Sequence, residues 1–101
     1  MSFTSIIQFH VKPGSESAFE DAFAKAGMLT RPSAITGFVK ANLVRSLDDP
    51  AAYYVIGEWQ TVQAYKDWQA VSGPEADPEA LAAMRATLIE HAPGRLFQTV
   101  A

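Results

Sequence analysis

From Phe3 to Val11 the residues alternate, with Ile7, Phe9 and Val11 on one side and Ile6, Gln8 and His10 on the other. That period of two predicts a strand. Lys12-Pro13-Gly14 breaks it. Ala18, Phe19, Ala22, Phe23 and Ala26 then recur at helical spacing and form one apolar stripe. Ser15 or Ser17 can cap this helix, Ser17 with Glu20 matching a capping box. Gly27 weakens its last turn, and it ends at or before Pro32. Phe38 to Leu47 and Tyr53 to Gln60 read as a hairpin across the Asp48-Asp49-Pro50 turn. Thr61 caps a short helix that carries Val62, Ala64, Tyr65, Trp68 and Val71 and stops at Ser72-Gly73-Pro74. Asp77, with Pro78 at the first helical position, starts another helix over Glu79 to His91, whose stripe is Leu81, Met84 and Leu88. Ala92-Pro93-Gly94 terminates it, and Arg95 to Val100 is a last short strand.

The order β-α-β-β-α-α-β is the split βαβ, ferredoxin-like pattern of an α+β chain, with a four-stranded antiparallel sheet and one extra helix before the final strand. Helices would cover one face of that sheet. The other face also carries apolar residues, since Ile6 and Ile7, Phe38 and Val39, Val55 and Ile56 stand on both sides of their strands. A bare apolar face needs a cover, and a homodimer packed sheet on sheet supplies one.

The chain has 101 residues, 49% of them hydrophobic, which predicts one domain over residues 1–101 with a packed core. A core of this size leaves only a small ligand cavity unless a second copy helps wall it. The net charge of −3 comes with no basic cluster, which excludes nucleic acid as a partner. There is no cysteine, so disulfides, thiolate chemistry and iron–sulfur clusters are excluded. The two histidines, His10 and His91, do not stand at metal-ligand spacing. No carboxylates show paired acid/base spacing, and the glycines stand singly, without a phosphate-binding loop. Met1 to Val11 lacks the marks of a signal segment and no apolar run approaches ~20 residues, so a cytoplasmic protein with no membrane partner is expected.

Several local motifs, in this order, resemble the antibiotic biosynthesis monooxygenase superfamily, the dimeric α+β barrel proteins. They are Val11-Lys12-Pro13-Gly14, Ile35-Thr36-Gly37-Phe38, the Asp48-Asp49-Pro50 turn, and above all Tyr54 to Trp59 running into Thr61-Val62-Gln63-Ala64-Tyr65. The resemblance covers nearly the whole chain. It implies a ferredoxin-like protomer, an obligate dimer, and a pocket between the helices and the sheet. Two branches of the family compare residue by residue. The heme-degrading branch has a Trp matched by Trp68, but Ile7 stands at its Asn position and no His follows until His91. The anthrone-oxygenase branch has a Trp, a Tyr and an Arg matched by Trp59, Tyr65 and Arg85, with Val55 where that branch has an Asn.

The resemblance therefore implies a small cofactor-independent monooxygenase that lets a deprotonated aromatic compound, anthrone-, phenol- or quinol-like, react with O₂. Tyr65, Arg85 and His10 are the candidates for a base and a clamp on the developing anion. Trp59, Trp68 and Phe9 are candidate walls, and Asn42 can point into the sheet cavity. Each has an ordinary structural reading as well. The aromatics can be core, Arg85 can pair with Glu58 or Asp67, His10 can be a surface or dimer contact, and His91 can interact with a helix C-terminus. A non-enzymatic ligand-binding dimer and a heme-binding member are the alternatives.

Overall fold

The computed structural model describes residues 2–101 and, at His91, the backbone alone. The chain runs β1 (Phe3–Val11), α1 (Glu16–Lys25), a 3-10 turn (Arg31–Ala34), β2 (Phe38–Arg45), β3 (Ala52–Trp59), α2 (Val62–Ser72), α3 (Pro78–Ala86), β4 (Leu88–His91) and β5 (Arg95–Gln98). The sheet is antiparallel, in the order β2-β3-β1-β4, with β5 also on β1. This is the expected α+β, ferredoxin-like arrangement, with five strands in place of four.

The fifth strand corrects the helix expected over Glu79 to His91. That helix ends at Ala86, where Thr87 Oγ1 donates to the Met84 carbonyl at 2.6 Å. The β-branched and apolar run that follows then pairs with the free edge of β1, Val11 facing Leu88 and His10 facing Glu90. His91 accordingly stands on a strand, not at a helix C-terminus, and the side-chain interaction expected of it lies outside the described residues. β5 continues along the same edge of β1, from Ile6 facing Arg95 to Phe3 facing Gln98. The fourth strand of the pattern is thus present in two pieces, broken at residues 92–94, where Pro93 has no amide hydrogen to donate.

Two of the predicted caps are formed. Thr61 Oγ1 accepts from the Ala64 amide at 3.1 Å, and Asp77 accepts from the Ala80 amide at 2.9 Å. The Ser17–Glu20 capping box is not. Helix α1 begins at Glu16, one residue ahead of Ser17, and Glu20 turns instead to the sheet, where it accepts the Tyr53 hydroxyl at 2.5 Å.

Alternation assigns each strand residue to a face. Toward the helices go Phe9 and Val11, which pack with Phe19, Phe23, Tyr53 and Met84 in one buried cluster. A second cluster holds Trp59, Ala64, Tyr65 and Trp68. The opposite face presents Ile6, Ile56, Tyr54 and Val44, paired Ile6 with Ile56 and Val44 with Tyr54, and among the described residues no helix belongs to the core packed on that side. Among the described residues no helix is long and apolar enough to cross a membrane.

Candidate functional site

Between the helices and the sheet lies a cavity of about 630 Å³. It is lined by residues of one chain and is larger than the small cavity expected within a single copy. The reason is local: at the middle of the floor stand Ile7 and Val55, cross-strand partners of moderate size that leave the space above them open. Phe9 extends the floor, Phe23, Met84 and Leu81 form one side, Trp68 forms the other, and the strand break at 92–94 borders the edge. The polar residues of the lining are Gln69, Ser72, Arg85 and Glu90, of which Glu90, paired with His10, turns its side chain to the opposite sheet face.

The cavity brings together three of the residues singled out in the sequence: Phe9, Trp68 and Arg85. Phe9 is braced by Phe19 and Phe23, with ring centroids 5.5 and 6.2 Å away. Trp68 is buried, and the Arg31 guanidinium lies over its ring at 5.1 Å. Arg31 in turn donates to the carbonyls of Ala26 (3.0 Å), Ser72 (3.1 Å) and Val71 (2.7 Å), at the C-terminal ends of α1 and α2, where a cation offsets the negative end of each helix. Arg85 has no hydrogen bond or ion pair among the described residues. The partners expected for it are engaged elsewhere, Glu58 near Lys40 at 4.0 Å and Asp67 with Gln63 at 2.8 Å.

Tyr65 and Trp59 lie beside the cavity, not in its lining. Trp59 donates its indole N–H to the buried Ser5 hydroxyl at 3.0 Å and packs edge-on against Phe38 and Tyr65. Tyr65 accepts a hydrogen bond from Gln69 Nε2 at 2.9 Å. Burial pushes its phenol above the ordinary 10.0, so near neutrality it is a donor and not a base. Gly94 explains how closely the hydroxyl is screened: a β-carbon there would collide with Tyr65 Oη.

His10 and Asn42 are not at this cavity. His10 projects from the opposite sheet face, its Nε2 3.3 Å from Asp49 Oδ2, beside a separate hollow of about 360 Å³ shared with Gln8, Glu90 and Ala92. Asn42 is exposed on that same face, across from Ile56. Gln69 and Glu90 were absent from the sequence expectation. Gln69 carried one usable signal, its place four residues after Tyr65 on one helix face. Among the described residues no group of three or more His, Asp or Glu could hold a metal ion.

Comparison with known proteins agrees with this architecture. A solved Bordetella bronchiseptica protein classed with the antibiotic biosynthesis monooxygenases superposes with a TM-score of 0.77 at 23% identity, covering 99% of this chain and 98% of that one. SnoaB, a cofactor-independent oxygenase from Streptomyces nogalater, superposes with a TM-score of 0.72 at 24% identity over 99% of this chain and 94% of that one. The uncharacterized protein YczJ of Bacillus subtilis is 28% identical over 72 residues, 61% of this chain and 74% of its own length. The family model for antibiotic biosynthesis monooxygenase matches residues 2–86, from β1 to the end of α3, and the chain belongs to that family.

Proposed function

We propose that the chain is a cofactor-independent monooxygenase that uses O₂ on an aromatic compound bearing an ionisable oxygen, of the anthrone, phenol or quinol kind. The observation that carries this reading is the placing of an unpaired guanidinium, Arg85, in one cavity with the flat walls Phe9 and Trp68. Family membership supports the monooxygenase-like role. The likeness to SnoaB, itself cofactor-independent, is compatible with chemistry that needs no cofactor.

An anthrone that loses a methylene proton becomes an enolate, electron-rich enough to react with O₂ directly. The carbon–oxygen bond forms at that carbon, loss of water leaves a quinone, and the two oxygen atoms end one in the product and one in water. Arg85 stabilises the enolate oxygen through its positive charge once the bound ring system displaces the water around it. The proton passes to solvent water, since Glu90, paired with His10 across β1, turns its carboxylate to the opposite sheet face. Phe9 and Trp68 hold the ring system flat and dry.

The same reading places a second copy on the open sheet face, burying Ile6, Ile56, Tyr54 and Val44. The test of the activity is O₂ uptake with a panel of anthrones, naphthols and quinols. Wild type should consume O₂ faster than buffer with at least one of them, and Arg85→Ala should lose about tenfold or more of that rate. Uptake equal to buffer across the panel overturns the proposal.

A further inference from the structure

We propose that Gln69 is the residue that hydrogen-bonds the substrate's oxygen, and that Tyr65 acts through it as a positioning residue. This rests on the aromatic-substrate reading above. The floor of the cavity offers nothing to an oxygen, because Ile7 and Val55 face each other there with Phe9 beside them. The Tyr65 hydroxyl would be the natural donor, but it is not in the lining: the backbone at Gly94 stands against it, with Ile7 close by. Gln69 is in the lining. Its Nε2 donates one hydrogen to Tyr65 Oη at 2.9 Å, and its second amide hydrogen and Oε1 have no partner among the described residues.

The tie to Tyr65 fixes the carboxamide before any ligand arrives. A free glutamine would lose considerable rotamer freedom on binding, and the anchor removes part of that cost. Trp68 is the preceding residue, so the flat contact and the polar contact come from consecutive positions on α2. The remaining N–H suits a carbonyl or phenolate oxygen, and Oε1 suits a hydroxyl. The cavity is therefore matched to an aromatic ring with an oxygen at its edge, over the bare hydrocarbon.

Equilibrium dialysis with 1-naphthol and naphthalene tests this. Because each protein is compared by the ratio of two affinities, a partly unfolded variant does not distort the answer. Wild type should prefer 1-naphthol by about fivefold, the worth of one net hydrogen bond. Gln69→Leu should abolish the preference, Tyr65→Phe should keep part of it, and adding Tyr65→Phe to Gln69→Leu should change nothing more. An undiminished preference in Gln69→Leu overturns the proposal, as does a further loss in the double variant, which would mean that Tyr65 touches the ligand itself. If wild type binds neither compound, the aromatic-substrate reading fails and this proposal with it.

Discussion

Arg31 covers one face of Trp68, its guanidinium 5.1 Å from the ring centre, while its nitrogens close three carbonyls at the ends of α1 and α2. One side chain thus ties two helices to the aromatic wall of the cavity. Gly27, with φ at +71°, makes room for it, since a β-carbon there would lie 2.6 Å from Arg31 Cδ. Replacing Arg31 by Met keeps the packing but leaves the carbonyls to water or to nothing. We expect a loss of about 2–3 kcal/mol in urea unfolding, from charge-assisted hydrogen bonds that water only partly replaces. A loss below about 0.5 kcal/mol would show that the brace carries no weight.

A methyl group at residue 94 would be felt at Tyr65. Gly94→Ala should cost about 1–3 kcal/mol, because the buried ring must move away from its hydrogen bond with Gln69. The cost should shrink when the hydroxyl is also removed, since the same β-carbon would sit 3.5 Å from Tyr65 Cζ, an ordinary contact. Denaturation of Gly94→Ala, Tyr65→Phe and the double variant measures the coupling.

Alkali should destabilise the fold through two of the three tyrosines. Burial raises the phenols of both Tyr53 and Tyr65 above 10.0, and for Tyr53 the hydrogen bond to Glu20 adds to the effect. The unfolded chain therefore releases these protons first. The stability they contribute is intact below about pH 10 and is lost as pH rises through their folded values. Urea midpoints should fall from about pH 10 upward, and less steeply in Tyr53→Phe. Equal slopes in the two proteins would remove Tyr53 from the account.

On the open sheet face, Ile56 faces Ile6 on one neighbouring strand and Asn42 on the other. In sedimentation, wild type should run as two chains of 11.0 kDa, and Ile56→Lys should run as one. A single-chain wild type refutes the dimer.

Most of the fold was legible because its signals are local. Thr61 and Asp77 cap helices by bonds to residues three positions on, and the β2–β3 hairpin turns on Asp48-Asp49-Pro50. β4 was not legible, since Leu88 falls four residues after Met84 and so extends a helical stripe as well as it opens a strand. Pairing with β1, nearly eighty residues away, decides the matter, and no local pattern encodes it. The site divides in the same way. Trp68 and Arg85 could be placed from helix faces, whereas His10 and Asn42 depended on which sheet face the helices cover, and Gln69 on a neighbour and on a strand break.

Among the described residues β4 and β5 both pair with β1, whose other partner, β3, lies beyond two connections. The hairpin of β2 and β3 needs only a short loop to close, Arg45 meeting Tyr53. The β5 edge instead needs Phe3 to meet Gln98 across almost the full chain. Loop closure makes such contacts slow to form. Residues 92–94, which border the cavity, are held between these two late edges. The cavity is therefore among the last features of the molecule to exist during folding, and ligand binding in a refolding experiment would time the completion of the sheet.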